Sequence, residues 1–163
     1  MSLKIGDTAP EFSLVSLTAD GPQVVTLASL TEKSNVLLLF VPMAFTGGCT
    51  EEFCTITKTL DAYKALDAQV VGISGDNPFA QDAWAKKEGI SLPLLSDYEH
   101  KVTEAYGIAY ESFIPEANLI MGGVSKRSAF VVDQAGKIQY AEVLDNPGDM
   151  PDFDAIQACL KSL

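Results

Sequence analysis

Imidazole is almost missing from this sequence: 163 residues contain one histidine, His100, in the stretch SDYEHKV. With no second histidine the usual zinc spacings are absent, and no metal site is expected. His100 itself, set among charged residues, is expected to be a solvated surface side chain. Cysteine is scarce as well. Three cysteines are an odd number in a chain that is 47% hydrophobic, so a stapling disulfide framework is not implied and reduced thiols are the default. Positive charge is in short supply: 11 Lys and Arg face 22 Asp and Glu, a formal net charge of -11. A polyanion would be repelled before contact, which argues against nucleic acid or an anionic membrane surface as partner and leaves small or neutral substrates. No apolar run approaches membrane-spanning length. Met1 to Lys4 is followed by Gly6, Asp7 and Pro10, with no charged n-region and apolar h-region, so a cytoplasmic protein is expected.

What the chain does have is enough length and apolar content for one compact domain, residues 1–163. Val36–Val41 (VLLLFV) is short, continuous and apolar, bounded by Asn35 and Pro42, and reads as a strand buried on both faces. Val70–Ser74 and Ala129–Val132 read the same way. Helical patterns alternate with them over Cys49–Leu66, Phe79–Glu88, Glu99–Tyr106 and Asp152–Leu163, which predicts an α/β architecture with a mixed sheet. Ser128–Asp133 and Ile138–Val143, joined through Gly136, predict an antiparallel hairpin. Phe12–Leu14 and Val24–Leu27 predict a second, N-terminal hairpin around Asp20-Gly21-Pro22. This order resembles a thioredoxin-like fold: a mixed central sheet flanked by helices, with an N-terminal β-hairpin extension. Ligands of such sheets sit at the carboxyl ends of the strands, where Pro42 to Cys49 follows Val36–Val41.

That stretch, FVPMAFTGGCTEEFC, carries two of the three cysteines. On a helix starting near Gly47 and Gly48, Ile56, Leu60 and Tyr63 share a face with Cys49, with Phe53 at its edge. Cys54 is rotated by about 140° from Cys49 and falls with Glu51, Lys58 and Asp61 on the polar face. A cysteine in the first turn meets unpaired backbone N–H groups and the positive end of the helix dipole, which favours thiolate. Thr46 can aim its hydroxyl at that sulfur and at an incoming oxygen, while Pro42 stiffens the connection from strand to helix. The two glycines let backbone approach a ligand. Glu52 leans toward the buried side and needs a cation. Arg127 is the candidate, because a strand beside Val36–Val41 would bring it to the same end of the sheet, where it could serve both Glu52 and Cys49. Plainer readings exist for each: Cys49 as a small core residue, Thr46 as an N-cap, Glu52 as a dipole-complementing acid, Arg127 as a surface ion-pair partner, Trp84 as core. Their joint occurrence favours a site.

The spacing Pro42-x-x-x-Thr46-x-x-Cys49, with Glu52 and the distant Arg127, resembles the peroxidatic-site motif of the peroxiredoxins. The resemblance continues through LLLFVPMAFTGGCTEEFC, Trp84, LPLLSD, the Tyr106-Gly107 step and RSAFVVDQAGKI. It is most similar to the alkyl hydroperoxide reductase E type and, more loosely, to the bacterioferritin-comigratory or Q type. The resemblance implies a thiol-dependent peroxidase acting on hydrogen peroxide or organic hydroperoxides. Cys49 would become a sulfenic acid, with Thr46, Arg127 and the Cys49 N–H holding the peroxide oxygens. No metal, haem or flavin cofactor is implied, and Glu52 and Trp84 would be supporting residues. A thiol reductant is implied, whether thioredoxin, glutaredoxin or a low-molecular-weight thiol, and so is a homodimer.

The sequence departs from many members at Thr50, where a proline often follows the cysteine, and in Ala109–Lys126, which is longer and more apolar. Phe113, Ile114, Leu119, Ile120 and Met121 are expected either to line a substrate mouth or dimer contact or to serve as ordinary packing. Cys54 matches the resolving cysteine of the Q type. In an intact helix, however, the two Cα atoms stand roughly 8.6 Å apart, beyond the disulfide limit of about 7 Å, so the first turns would have to unwind or an external thiol would act. Cys159 falls on the apolar stripe of the last helix and is expected to be buried. Two other functions compete: a thioredoxin-like disulfide reductase, which would use two cysteines separated by two residues, and a peroxide-sensing or chaperone-like thiol switch.

Overall fold

The computed structural model describes residues 2–163. Along the chain the elements are β1 (Ser13–Thr18), β2 (Gly21–Thr26), α1 (Leu27–Thr31), β3 (Asn35–Phe40), α2 (Gly47–Ala65), β4 (Ala68–Ser74), α3 (Pro78–Glu88) and β5 (Leu94–Ser96). They continue with α4 (Lys101–Ala105), a 3₁₀ turn (Pro115–Ala117), β6 (Ser128–Val132), β7 (Ile138–Val143) and α5 (Phe153–Lys161). The seven strands form one sheet in the order β2-β1-β5-β4-β3-β6-β7. β3, β4 and β5 run parallel, whereas β6, β7 and the β1–β2 hairpin join antiparallel, so the sheet is mixed and carries an N-terminal hairpin, as expected.

Why β3 lies in the interior of the sheet follows from its composition. Its side chains alternate between two apolar layers: Leu37 and Leu39 face α2, α3 and α5 with Phe53, Ile56, Trp84 and Ile156, while Val36, Leu38 and Phe40 face Leu27, Leu30, Val102 and Tyr106. A strand apolar at every position after its first residue, Asn35, can be satisfied only where both faces are covered. Gly72 on β4 lets α2 come down onto the sheet, since a Cβ there would lie 2.5 Å from the Phe53 ring. No helix among the described residues is long and apolar enough to cross a membrane.

Several boundaries differ from the expected ones, each for a local reason. The N-terminal hairpin is longer than predicted. β2 stops at Thr26 because Thr26 and Ser29 cap each other reciprocally, turning Leu27 into the first residue of an unexpected short helix. β5 is a strand of three residues, too short to show a period in the sequence. The helix expected over Glu99–Tyr106 begins only at Lys101, because His100 takes a left-handed conformation with φ 59°. His100 is not a solvated side chain. It is half-buried, with its ring against Gly75, a Cβ there being 2.9 Å from Nδ1, and this Nδ1 is buried without a hydrogen-bond partner. The turn tucks the imidazole inward, which a reading of its charged neighbours does not reveal. At the other end Asp152 caps α5 by accepting from Ala155 N–H at 3.0 Å. Cys159 is half-buried on that helix, packed against the core, where burial pushes its thiol up from the ordinary value.

The 109–126 segment makes an irregular excursion pinned by two isolated bridges, Ala109 to Ser125 and Phe113 to Met121. Of its apolar residues Phe113 is buried and packs on Tyr110 with ring centroids 5.3 Å apart, whereas Leu119, Ile120 and Met121 are exposed. Ile114 is half-buried in a left-handed conformation with φ 41°.

Candidate active site

The site lies where the carboxyl end of β3 meets the amino end of α2. Leaving β3, the chain passes buried Val41 and Pro42, turns at Phe45 with φ 66°, and enters α2 with Thr46 as its N-cap. The Thr50 N–H already donates to the Thr46 carbonyl at 3.0 Å. Three N–H groups, those of Gly47, Gly48 and Cys49, are therefore the donors that the first helical turn leaves without an intrahelical acceptor. Cys49 stands at the third helical position and is 1% exposed.

Arg127 arrives as the register of the sheet requires. Ser128 pairs with Phe40 across the antiparallel β3–β6 ladder, so the residue before it lies at the end of β3 where α2 begins. Its NH2 group is 3.6 Å from Cys49 Sγ, and its NH1 group donates to Glu52 Oε2 at 2.5 Å. Arg127 and Glu52 are 2% and 1% exposed, so this is a buried ion pair with the thiol on its flank. NH2 also donates to the Pro147 carbonyl at 3.0 Å, which closes the guanidinium in from the loop after β7. Gly48 makes room for it: a Cβ at that position would lie 2.9 Å from NH2.

Electrostatics here are a contest between burial and pairing. Burial pushes the Glu52 carboxyl up to about 7, against the pull of Arg127, with Glu142 adding to the rise. For Arg127 burial works to lower the pKa, but the charges of Cys49 and Glu52 and the hydrogen bonds to both more than reverse it, leaving the guanidinium above its ordinary value. Arg127 thus stays a cation.

Of the residues singled out in the sequence, Pro42, Thr46, Cys49, Glu52 and Arg127 come together at this corner. Thr46 makes no side-chain cap; its hydroxyl donates to the Met43 carbonyl at 2.9 Å, leaving its oxygen lone pairs free to accept. Trp84 is fully buried beside Phe53, with ring centroids 5.4 Å apart, and its Nε1–H donates to Thr50 Oγ1 at 3.0 Å. It braces the first turns of α2 from α3. Thr50, which the sequence marks only as a departure from proline, is the acceptor of that bond. Cys54 corrects the helical-wheel expectation of a polar face: it is half-buried, packs against the core and donates its S–H to the Glu88 carbonyl at 3.5 Å. The end of α3 covers that side of α2, which a wheel drawn for one helix does not show. All three cysteines are free thiols.

Three contributors escaped the sequence. Pro147 acts through a backbone carbonyl and so leaves no side-chain signal. Phe45 is half exposed in its left-handed turn, with the Trp84 ring 6.5 Å away and Lys87 Nζ 5.9 Å from its centroid. Asp76 accepts a hydrogen bond from Ala44 N–H at 2.7 Å, and the available signal was its position just beyond the buried strand Val70–Ser74. Among the described residues no group of three or more His, Cys, Asp or Glu side chains is placed to hold a metal ion.

Comparison with known proteins places the chain in a family. A family model described as the AhpC/TSA family matches residues 5–141. The chain is 36% identical over 152 residues to "Alkyl hydroperoxide reductase E" of Mycobacterium tuberculosis, covering 92% of this chain and 91% of that one. It is 38% identical over 141 residues to "Peroxiredoxin Bcp" of Escherichia coli, covering 85% and 84%. Among solved structures it superposes on peroxidoxin BcpB of Mycobacterium tuberculosis with a TM-score of 0.83 and 28% identity, covering 99% of this chain and 98% of that one. With a matching family model over most of its length, two such relatives, and a thiol, a guanidinium and a carboxylate gathered at one corner of a thioredoxin-like sheet, the chain belongs to the AhpC/TSA family, that of the peroxiredoxins.

Proposed function

We propose that the thiol-dependent peroxidase chemistry of this protein is carried by Cys49, and the observation that carries the proposal is the buried Arg127 guanidinium spanning Cys49 Sγ and Glu52. The Cys49 thiolate attacks one oxygen of a hydroperoxide. The S–O bond forms as the O–O bond breaks, giving Cys49 sulfenic acid and an alkoxide or hydroxide that takes a proton and leaves as alcohol or water. Arg127 NH2 and the free N–H groups of the first turn of α2 supply fixed positive potential where negative charge shifts from sulfur to the leaving oxygen. Thr46 offers lone pairs to a peroxide O–H, and Pro42 stiffens the approach to the turn, so that the three atoms of the displacement can be held in line. Glu52 orients Arg127, and Trp84 holds the helix start.

The sulfenic acid is then reduced by a thiol, which forms a mixed disulfide and releases water. An intact α2 supports an external thiol in this role: Cys54 is engaged with Glu88, and closing Cys49 onto it requires the first turns to unwind. Hydrogen peroxide and organic hydroperoxides are the proposed substrates, the relative named alkyl hydroperoxide reductase favouring the latter. Thioredoxin, glutaredoxin or a low-molecular-weight thiol is the proposed reductant. Three free thiols suit a reducing cytoplasm. We further propose that residues 1–163 act as one domain, since the continuous sheet leaves no internal boundary, and that the protein is a homodimer, for which the support is its family alone. Stopped-flow measurement of thiol oxidation by a panel of peroxides tests the site, with Cys49→Ser and Cys54→Ser alongside. Rapid oxidation that survives Cys49→Ser would refute it.

A further inference from the structure

Asp76 lies outside the reacting corner and yet holds part of it. Its Oδ2 accepts from the Ala44 N–H at 2.7 Å, a bond spanning 32 residues from the end of β4 to the middle of the turn between β3 and α2. The same oxygen accepts from Ser74 Oγ at 2.7 Å. Asp76 is itself anchored: Ser96 Oγ donates to its carbonyl at 2.6 Å, and buried Gln81 donates to Ser74 Oγ at 2.9 Å and to the Leu95 carbonyl at 2.9 Å. The carboxylate is therefore a fixed post at the carboxyl ends of β4 and β5.

What it grips is under strain. Phe45, next to Ala44, has φ 66°, a conformation that costs a side-chain-bearing residue energy and persists only where its surroundings impose it. Two hydrogen bonds bracket it: Ala44 N–H to Asp76 on one side, and Thr46 Oγ1 to the Met43 carbonyl at 2.9 Å on the other. Beyond Thr46 the helix begins at once. The plain alternative is that Asp76 only caps its own turn. That turn already has its own fixings, Asn77 accepting from Ala80 N–H at 2.9 Å and Ser96 holding the Asp76 carbonyl, so the reach to Ala44 is not needed for it.

We propose that Asp76 is a positioning residue for the reaction at Cys49: by holding the Ala44 N–H it fixes the turn through Phe45, and with it the placement of Thr46 and the first turn of α2 against the incoming peroxide. The proposal rests on the peroxidase reading of the site. Displacing a positioning group by a fraction of an ångström costs alignment in the displacement while leaving the sulfur itself unchanged.

The test is single-turnover oxidation of Cys49 by hydrogen peroxide and by an organic hydroperoxide, run beside alkylation of Cys49 by iodoacetamide, which needs the thiolate but no alignment by Thr46. In Asp76→Ala the peroxide rate constant should fall by about ten-fold or more, with alkylation within about two-fold of the unaltered protein. Asp76→Asn retains an amide oxygen that can accept from Ala44 and should recover most of the loss. Amide exchange at Ala44 should quicken in the alanine variant and not in the asparagine variant. If Asp76→Ala does not fold, Asp76→Ser, equally unable to span the gap, takes its place. An unaltered peroxide rate in the truncated variant overturns the proposal. So does an equal loss in peroxide and alkylation rates, which would place the effect on the sulfur, or an equal loss in the asparagine variant, which would place it on charge. If the unaltered protein itself shows no oxidation of Cys49 by peroxide, the peroxidase reading fails and takes this one with it.

Discussion

Cys49 and Cys54 stand five residues apart on one helix and live in opposite surroundings. Cys49 is sealed under the guanidinium of Arg127 at the open end of the helix, whereas Cys54 is half-buried in the seam between α2 and the end of α3, its proton on a backbone carbonyl. The difference teaches that the helix alone does not make a thiol useful. Position in the first turn supplies donors; the strand beyond, delivering Arg127, supplies the charge; the neighbouring helix occupies the other thiol.

The largest effect should come from removing the first member of the pair. Cys49→Ser should abolish peroxide consumption, while Cys54→Ser should leave the rate of Cys49 oxidation within about two-fold, because only the first sulfur faces the guanidinium. Stopped-flow fluorescence with Trp84 as reporter measures both. Next, Arg127→Met should lower the oxidation rate by about 10²-fold or more and also destabilise the fold by about 1–3 kcal/mol, since Glu52, freed of the cation that holds its pKa down, would take up a proton and stay buried without its partner. Urea denaturation reads the second effect.

Glu52→Gln sharpens the comparison through pH. The folded carboxyl is raised to about 7 from an ordinary 4.5, so the native state binds the proton more tightly than the unfolded chain. Stability from this group is therefore fully present below about 4.5 and lost as pH rises through about 7. Glu52→Gln has no such loss, and the stability difference between variant and unaltered protein should move in favour of the variant from acid to neutral pH, then level off. Denaturation midpoints at several pH values check it. A smaller effect, about 1–3 kcal/mol, is expected from Thr50→Val, which leaves the buried Trp84 N–H without its acceptor. The loosened first turns should also speed formation of a Cys49–Cys54 disulfide after one equivalent of peroxide, measured by non-reducing mass analysis. Oxidised Cys49 with no disulfide in either protein would exclude the intramolecular route through Cys54.

Much of this was legible in the chain. Val36–Val41 announced a strand buried on both faces by having no polar position, and Pro42, Thr46 and Cys49 marked a candidate site by standing just beyond it. Arg127 and Glu52 were legible as partners because a buried carboxylate demands a cation and a strand over Ser128–Asp133 placed next to Val36–Val41 would deliver one to the same end of the sheet. Less legible were features that depend on two elements meeting. Asp76 and Pro147 act across loops distant in sequence, one through a carboxylate that reads as an ordinary turn residue and one through its backbone. His100 reads as a surface residue until the left-handed turn folds its ring against Gly75.

Sequence by itself determined which residues must be inside, where helices can start, and which side chains are able to carry nucleophilic and cationic chemistry, because apolar periodicity, capping and charge are local properties. Only the tertiary structure decided that Arg127 reaches the sulfur, that α3 takes up Cys54, and that Asp76 ties down the turn. Each of those depends on strand register and on the distance between elements, quantities no local pattern encodes.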